Sequence, residues 1–415
     1  MRARSDAGVG SEARAPLTPL VAPTEGASAG SSSVIAALLP LMAVVLVGFC
    51  LIGAAMPVLP LHVHDGLGFG PVMVGIVAGS QFCSALLARL WAGSVADRWG
   101  AKRAVMIGLV GAAVAGMLYG LSLPVTSPIA AISVLLAGRA VLGAAESFII
   151  TGATIWGLAR VGGRNAGKVI AWMGTAMFAA FAGGAPVGTW LYERGGFRAI
   201  AAATAIAPLL TLLLVMFLHG AVPSHRESPS IIGVISRIWK PGLGAALGSV
   251  GFGALSAFSS LLFVERGWTP IWLPFTSYAV GLIAARILFG HGPDRFGGAR
   301  VAVVSLLVET AGLILIAVAP SGMLAAFGAA LTGLGYSLVF PGFGVEAVRS
   351  APAESRGVAM GAYTACLDLA LGVSGPVLGL AAGAAGIGSV FLVSALVVAG
   401  AIAVGAPMMR SARAG

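Results

Sequence analysis

Charge is what this chain has least of. Only 9% of its 415 residues are Asp, Glu, Lys or Arg, where soluble globular proteins carry about 25%. A chain so poor in charge cannot cover a water-facing surface, so an ordinary soluble enzyme or binding domain is excluded. Cysteine is nearly absent too. Cys50, Cys83 and Cys366 are odd in number, lie inside apolar runs and have no metal-ligand or disulfide spacing, so they read as small buried hydrophobes. There is no G-x-x-x-x-G-K-[ST] loop and hence no direct ATP coupling. No G-x-S-x-G turn or His/Cys/Asp/Glu cluster offers a nucleophile or a metal site. These absences point away from an enzyme and call for no cofactor and no metal. The 61 glycines show no triplet period, which excludes a collagen-like chain.

What is present is apolar residue, 58% of the chain, with a mean hydropathy of +1.00. Apolar runs long enough to cross a bilayer recur along it. They fall near 34–61, 71–92, 104–123, 129–150 (extending toward 159), 169–191 and 199–218, then 241–264, 270–289, 301–319, 323–343, 357–379 and 388–406. Twelve spans of about 20 residues fit the length with short loops. Residues 1–33, rich in Ala, Gly, Ser and Pro and lacking the apolar core of a signal peptide, read as a disordered tail. Residues 34–219 form one half, 220–240 a linker, 241–407 a second half and 408–415 a short tail. Within the linker, Ile231, Ile232, Ile235, Ile238 and Trp239 recur at helical spacing beside Arg237 and Lys240, which predicts a short interfacial helix.

The net charge of +10 does not read as a nucleic-acid surface, because of where it lies. Of 24 Lys and Arg, three (Arg89, Arg139, Arg286) are inside spans and three (Arg194, Arg198, Arg266) in loops on one side; the other 18 fall in the tails and the alternate loops. That is the positive-inside pattern, and it predicts that both termini are cytoplasmic.

One loop organises the rest. Gly93, Asp97, Arg98, Gly100, Lys102 and Arg103 stand between the second and third runs, and a near-copy, Gly290, Asp294, Arg295, Gly297 and Arg300, stands between the eighth and ninth. Arg89 and Arg286 keep the same offset, so the register extends into the preceding helix and indicates two duplicated halves. G-x-x-x-D-R-x-G-x-[KR]-R at this place resembles the signature loop of the major facilitator superfamily, over nearly the whole chain from residue 34. Val63-His64-Asp65, Ser147-Phe-Ile-Ile-Thr-Gly and Phe340-Pro341 resemble the YhhS/YfcJ-type bacterial subfamily. The resemblance implies an all-α membrane protein of twelve transmembrane helices in two pseudo-symmetric six-helix halves. It also implies that the loop acts as a conformational latch of the outward-open state, and that the protein is a monomer.

Residues inside the spans carry the chemistry. Arg139 is near mid-membrane, where a charge costs about 2.5–3.5 kcal/mol, so it needs a partner or a wet cavity; a structural Arg bonded to carbonyls is the bland alternative. Glu146 is seven residues on, on the same helix face but roughly 10 Å along the axis. Arg139-x-x-x-Gly143 resembles the fourth-span motif of proton-coupled exporters, with Leu142 where Gln is usual. Asp368, about twelve residues into the eleventh span, is the foremost proton-coupling candidate, because intramembrane carboxylates mark such relays. Fixing helix packing is its bland alternative. Glu309 reads as a structural partner of Arg286, and Arg89 and Arg286 as snorkelling ends. His62 and His64 read as solvated loop residues. Ala185-Pro186-Val187-Gly188 partly resembles an antiporter hinge, though close packing explains it equally. Trp156, Trp172, Tyr336 and Tyr363 are cavity candidates able to stack on sugars or on drugs.

The sequence therefore predicts a multi-pass protein of the bacterial inner membrane. Its partners are the lipid bilayer, a small-molecule solute and protons, with no nucleic acid. Proton-coupled efflux is the leading expectation. A sugar or metabolite facilitator or symporter, and a non-transporting membrane sensor on the same fold, are the alternatives.

Overall fold

The computed structural model of the protein describes residues 31–162, 165–220, 232–352 and 355–411, and helix is the regular structure found among them. Twelve helices carry the architecture: α1 (Ser31–Ala55), α2 (Pro71–Trp99), α3 (Ala101–Ser122), α4 (Pro128–Val161), α5 (Ala166–Met216), α6 (Ile232–Gly248), α7 (Val250–Glu265), α8 (Leu273–Phe289), α9 (Gly298–Val318), α10 (Gly322–Ser350), α11 (Arg356–Ala385) and α12 (Ile387–Ser411). Ten segments are long and apolar enough to cross a membrane. Two more crossings complete the twelve. The 51-residue α5 breaks at Gly196, whose φ of 60° and ψ of −160° end one span and begin the next. The 17-residue α8 rises about 25 Å, enough for a short span. Helices α6 and α7, interrupted at Ser249, make one crossing. Leu87, Ile129, Leu214, Ile287 and Leu396 are more than half exposed on the outer surface, as a lipid-facing belt requires.

The first half packs α3 on α4, α1 on α5 and α2 on α4; the second packs α9 on α10, α8 on α10 and α9 on α12. Duplication is visible in the backbone itself. Gly100 (φ 96°, ψ 144°) and Gly297 (φ 90°, ψ 137°) turn their two loops in the same left-handed conformation, which side chains beyond Cβ-less glycine rarely adopt. Asn165 (φ −100°, ψ 15°) and Ser355 (φ −109°, ψ 8°) open α5 and α11 alike. From this pair the register continues 190 positions apart (355 minus 165), matching Pro186 with Pro376 and Phe178 with Asp368.

Some details differ from the sequence reading. The helix expected to lead into the seventh span is continuous with it: α6 starts at Ile232 and runs on, with Ile238 buried and Ile235 and Trp239 exposed. Ile231, most of the linker and residues 1–30 lie outside the described residues. The first span also runs on, through Leu59–Leu61 and a π turn at His62–Gly66. His62 is consequently not a free loop residue, for its ring stacks on Phe197 at 4.0 Å, while His64 Nδ1 is bonded to the Phe69 carbonyl at 2.8 Å. The small residues near Pro186 serve packing: a Cβ on Gly184 or Gly188 would meet the α1 backbone at Cys50–Ala54.

A cross-half charge network as candidate functional site

The two halves meet where α2 lies against α11 and where α5 lies against α8. The α2–α11 seam is built from glycine. A Cβ on Gly75 would overlap the Gly375 carbonyl, one on Gly79 the Gly372 carbonyl, and one on Gly379 the backbone of Pro71 and Val72. Absence of side chains lets the two backbones touch. These contacts occupy the ends of α2 and α11 remote from the signature loops, so that side of the molecule is closed. A large side chain in the seam should prevent closure. We expect Gly79→Leu to lengthen the distance between spin labels at Leu67 and Gly383 and to lower transport by about tenfold or more, since the closed state would lose its population. An unchanged distance would mean that the seam tolerates bulk.

Toward the signature loops the seam ends in an ion pair. Arg89 Nε and Nη2 both donate to Asp368 Oδ2, at 2.9 and 2.7 Å, with side chains 27% and 7% exposed. Arg89 is therefore not a snorkelling residue: its guanidinium turns inward and binds the opposite half. Glu146 accepts a 2.7 Å hydrogen bond from Gln81 Nε2 and lies within electrostatic reach of Asp368, Arg89 and Arg139. Arg139 is buried, donates from Nε to the Val77 carbonyl at 3.3 Å, and has the Tyr119 phenol beside it. Its contact with Glu146 is not direct, as their seven-residue separation predicts. Two arginines and two carboxylates thus form one chain of charges, from Arg139 in the core of the first half to Asp368 in the second. Arg139 also borders a cavity of about 10 Å³ with Phe82, Val63 and Ser256, room for roughly one water.

Below the closed side sits an aromatic hub that the sequence reading largely missed. The Phe252 ring lies 5.7–6.4 Å from those of Phe82, Phe181, Phe275, Tyr278 and Tyr336, joining both halves. Tyr336 alone was among the cavity candidates. The sequence does hold a signal: Phe178/Phe181 and Phe275/Tyr278 are i, i+3 aromatic pairs on the two helices that meet across the interface. Trp156 and Tyr363 do not line a crevice in this conformation. Both are fully buried, Trp156 Nε1 donating to the His219 carbonyl at 3.2 Å and Tyr363 Oη to the Phe340 carbonyl at 2.6 Å. Trp172 is half-buried. Glu309 and Arg286 do not pair: Glu309 is fully buried with neither oxygen bonded, and Arg286 turns instead to Phe178 across the interface, 5.0 Å above its ring.

In the signature loop Lys102 Nζ donates to the carbonyls of Met216 and Leu218, both at 2.7 Å, closing the end of the sixth span. Asp97, half-buried, makes no hydrogen bond or ion pair among the described residues, and Arg98 and Arg103 are exposed. In the second copy Asp294 and Arg300 are exposed, and Arg295 lies 5.3 Å from the Phe296 ring.

A fold of two six-helix halves meeting at a charged interface, with a duplicated signature loop, defines a class of membrane transporter. The Major Facilitator Superfamily profile matches residues 41–275 and 271–413, and the chain belongs to that family. An uncharacterized MFS-type transporter of Salmonella typhimurium is 41% identical over 356 residues, 85% of this chain and 91% of that one. The uncharacterized MFS-type transporter YhhS of Escherichia coli (strain K12) is 38% identical over 350 residues, covering 84% and 86%. Among solved structures, the nucleoside transporter NupG superposes with a TM-score of 0.73 at 16% identity, covering 90% of this chain and 99% of that one. The protein is a multi-pass transporter and not an enzyme.

Proposed function

We propose that the protein is a proton-coupled exporter of the bacterial inner membrane, moving a small organic solute by alternating access. Asp368 is its proton carrier, and Glu146 and Arg139 extend the charge network. One observation carries this reading: the Asp368 carboxylate on α11 is tied to Arg89, an arginine of the other half. With Asp368 ionised, the pair holds the conformation seen here; a proton on Asp368 removes the charge that Arg89 binds. Falling pH therefore loosens this conformation. An empty, deprotonated carrier that cannot reorient is what antiport needs, whereas a symporter must return empty. The 18 Lys and Arg in the tails and alternate loops support cytoplasmic termini, which makes the closed seam face outward. Asp97, Arg98, Gly100, Arg103 and their second copy act in the opposite state, when the cytoplasmic side closes. A facilitator or symporter of sugars or metabolites is the second reading, favoured by the aromatic hub alone.

The test uses proteoliposomes loaded with candidate solutes. Antiport predicts that an imposed pH gradient drives solute against its own gradient. Counterflow without that response identifies a facilitator, and binding without counterflow a sensor.

A further inference from the structure

The duplication makes the two cross-half arginines equivalent, and their partners are not. Arg89 and Arg286 occupy matching places on α2 and α8. Each reaches over the interface to the matching place on the opposite half, Asp368 on α11 and Phe178 on α5. Arg89 meets a carboxylate there. Arg286 meets a benzene ring, over which its guanidinium lies at 5.0 Å. Gly174 makes room for it: a Cβ at that position would lie 2.8 Å from Arg286 Nη1.

Among the described residues, the rest of its surroundings supply no counter-charge. Tyr278, about two turns earlier on α8, and Tyr336 on α10 are the phenols within its electrostatic reach. Glu309 on α9 makes no ion pair with it and is sealed from the surface. Arg286 makes no hydrogen bond among the described residues and is half-buried. Of the six ionisable groups counted inside the spans on Asp, Glu and Arg, four belong to the Arg139–Asp368 network. Arg286 is the cation left over, at the interface between the halves, with the Phe178 ring 5.0 Å away and two tyrosines within electrostatic reach. A cation held inside a membrane protein with donors unspent is a place for an anion, and the planar fork of Arg fits a carboxylate with two parallel bonds.

We infer that Arg286, with Phe178 and Tyr336 beside it, is the anchor for a carboxylate on the transported solute, so that the solute is a small organic anion with a flat apolar body. The solute's carboxylate takes at Arg286 the place that Asp368 takes at Arg89. This rests on the transport reading above but not on which residue carries the proton.

The test is ligand-dependent thermal stabilisation of the purified full-length protein by matched probes: benzoate, its neutral counterpart benzamide and its cationic counterpart benzylamine, with phenyl phosphate as a second anion. Benzoate should raise Tm with a saturable concentration dependence, and benzamide and benzylamine should not. Stabilisation by phenyl phosphate alone would reassign the anion to a phosphate ester and overturn the carboxylate assignment. Arg286→Gln should weaken the benzoate response by about 10- to 100-fold, the size of a lost charge-assisted contact, and Arg286→Lys should recover part of it. Phe178→Asp leaves Arg286 in place but gives it an internal carboxylate, and should abolish the response equally. A benzoate response no larger than that of benzamide, or one that survives both Arg286→Gln and Phe178→Asp, overturns the proposal. The two readings fail separately: the benzoate response is read at Arg286, while pH-driven transport that survives Asp368→Asn overturns the proton-carrier reading and leaves the anion site standing.

Discussion

Asp368→Asn is expected to keep equilibrium exchange of solute and to lose all accumulation driven by a pH gradient. Asn preserves the size of the side chain and an oxygen that still accepts from Arg89, so α2 and α11 remain joined. What it removes is the choice between two charge states. In the native protein, protonation exchanges an ion pair between Arg89 and Asp368, 2.7 Å long, for a weaker bond from the same cation to a neutral carboxyl group. That difference lets a proton gradient bias the two conformations, and in the variant it is zero at every pH. A ligand or proton with equal affinity for both states shifts nothing. Measuring pH-driven flux and counterflow in one proteoliposome preparation checks the result. Should the variant still concentrate solute, the carrier is another carboxylate, and Glu146, bonded to Gln81 at 2.7 Å, is the next to replace.

Asp97→Asn is expected to depress transport by about 10- to 100-fold while leaving this conformation untouched. Asp97 has no bonded partner among the described residues, so its charge contributes no contact here. A latch acting in the other state would lose there a charge-assisted contact of about 1.5–3 kcal/mol, and the equilibrium between states would move by the corresponding factor. The thermal stability of the unliganded protein should therefore match that of the native chain, and transport should not. Native transport rates in the variant would leave the loop a turn and a topogenic signal only.

Much of the architecture was legible because it is written in local terms. Apolar runs mark the crossings, and the repeat from Gly93 to Arg103 marks the halves. The interface was less legible because its bonds join residues far apart in the chain. Arg89 and Asp368 are separated by 279 positions, so depth along α2 suggested a snorkelling end where the folded chain has a cross-half bond. The same limit produced the expected pairing of Arg286 with Glu309. Both lie inside spans and are opposite in charge, but the aim of each side chain is set by how its helix is rotated in the bundle, and Arg286 is turned toward α5. Trp156 looked like a stacking platform for an equally simple reason. Its aromatic character is visible in sequence, while the His219 carbonyl that occupies its N–H is not. Offset helped most where two copies could be compared, and Phe178 against Asp368 emerged only once the caps at Asn165 and Ser355 fixed the second register.

The glycine seam has a mechanical consequence. Where Gly75, Gly79, Gly372 and Gly375 meet, backbone rests on backbone, and glycine has no side chain to reorient or refit when the surfaces part. Such a joint can open and reclose through many cycles with the same fit each time. The aromatic hub around Phe252 is its opposite, since the cross-half ring contacts of Phe82 and Phe181 must be re-made in the correct tilt at every closure. One gate thus combines two kinds of joint, glycine backbones with nothing to refit and rings that must find their tilt again.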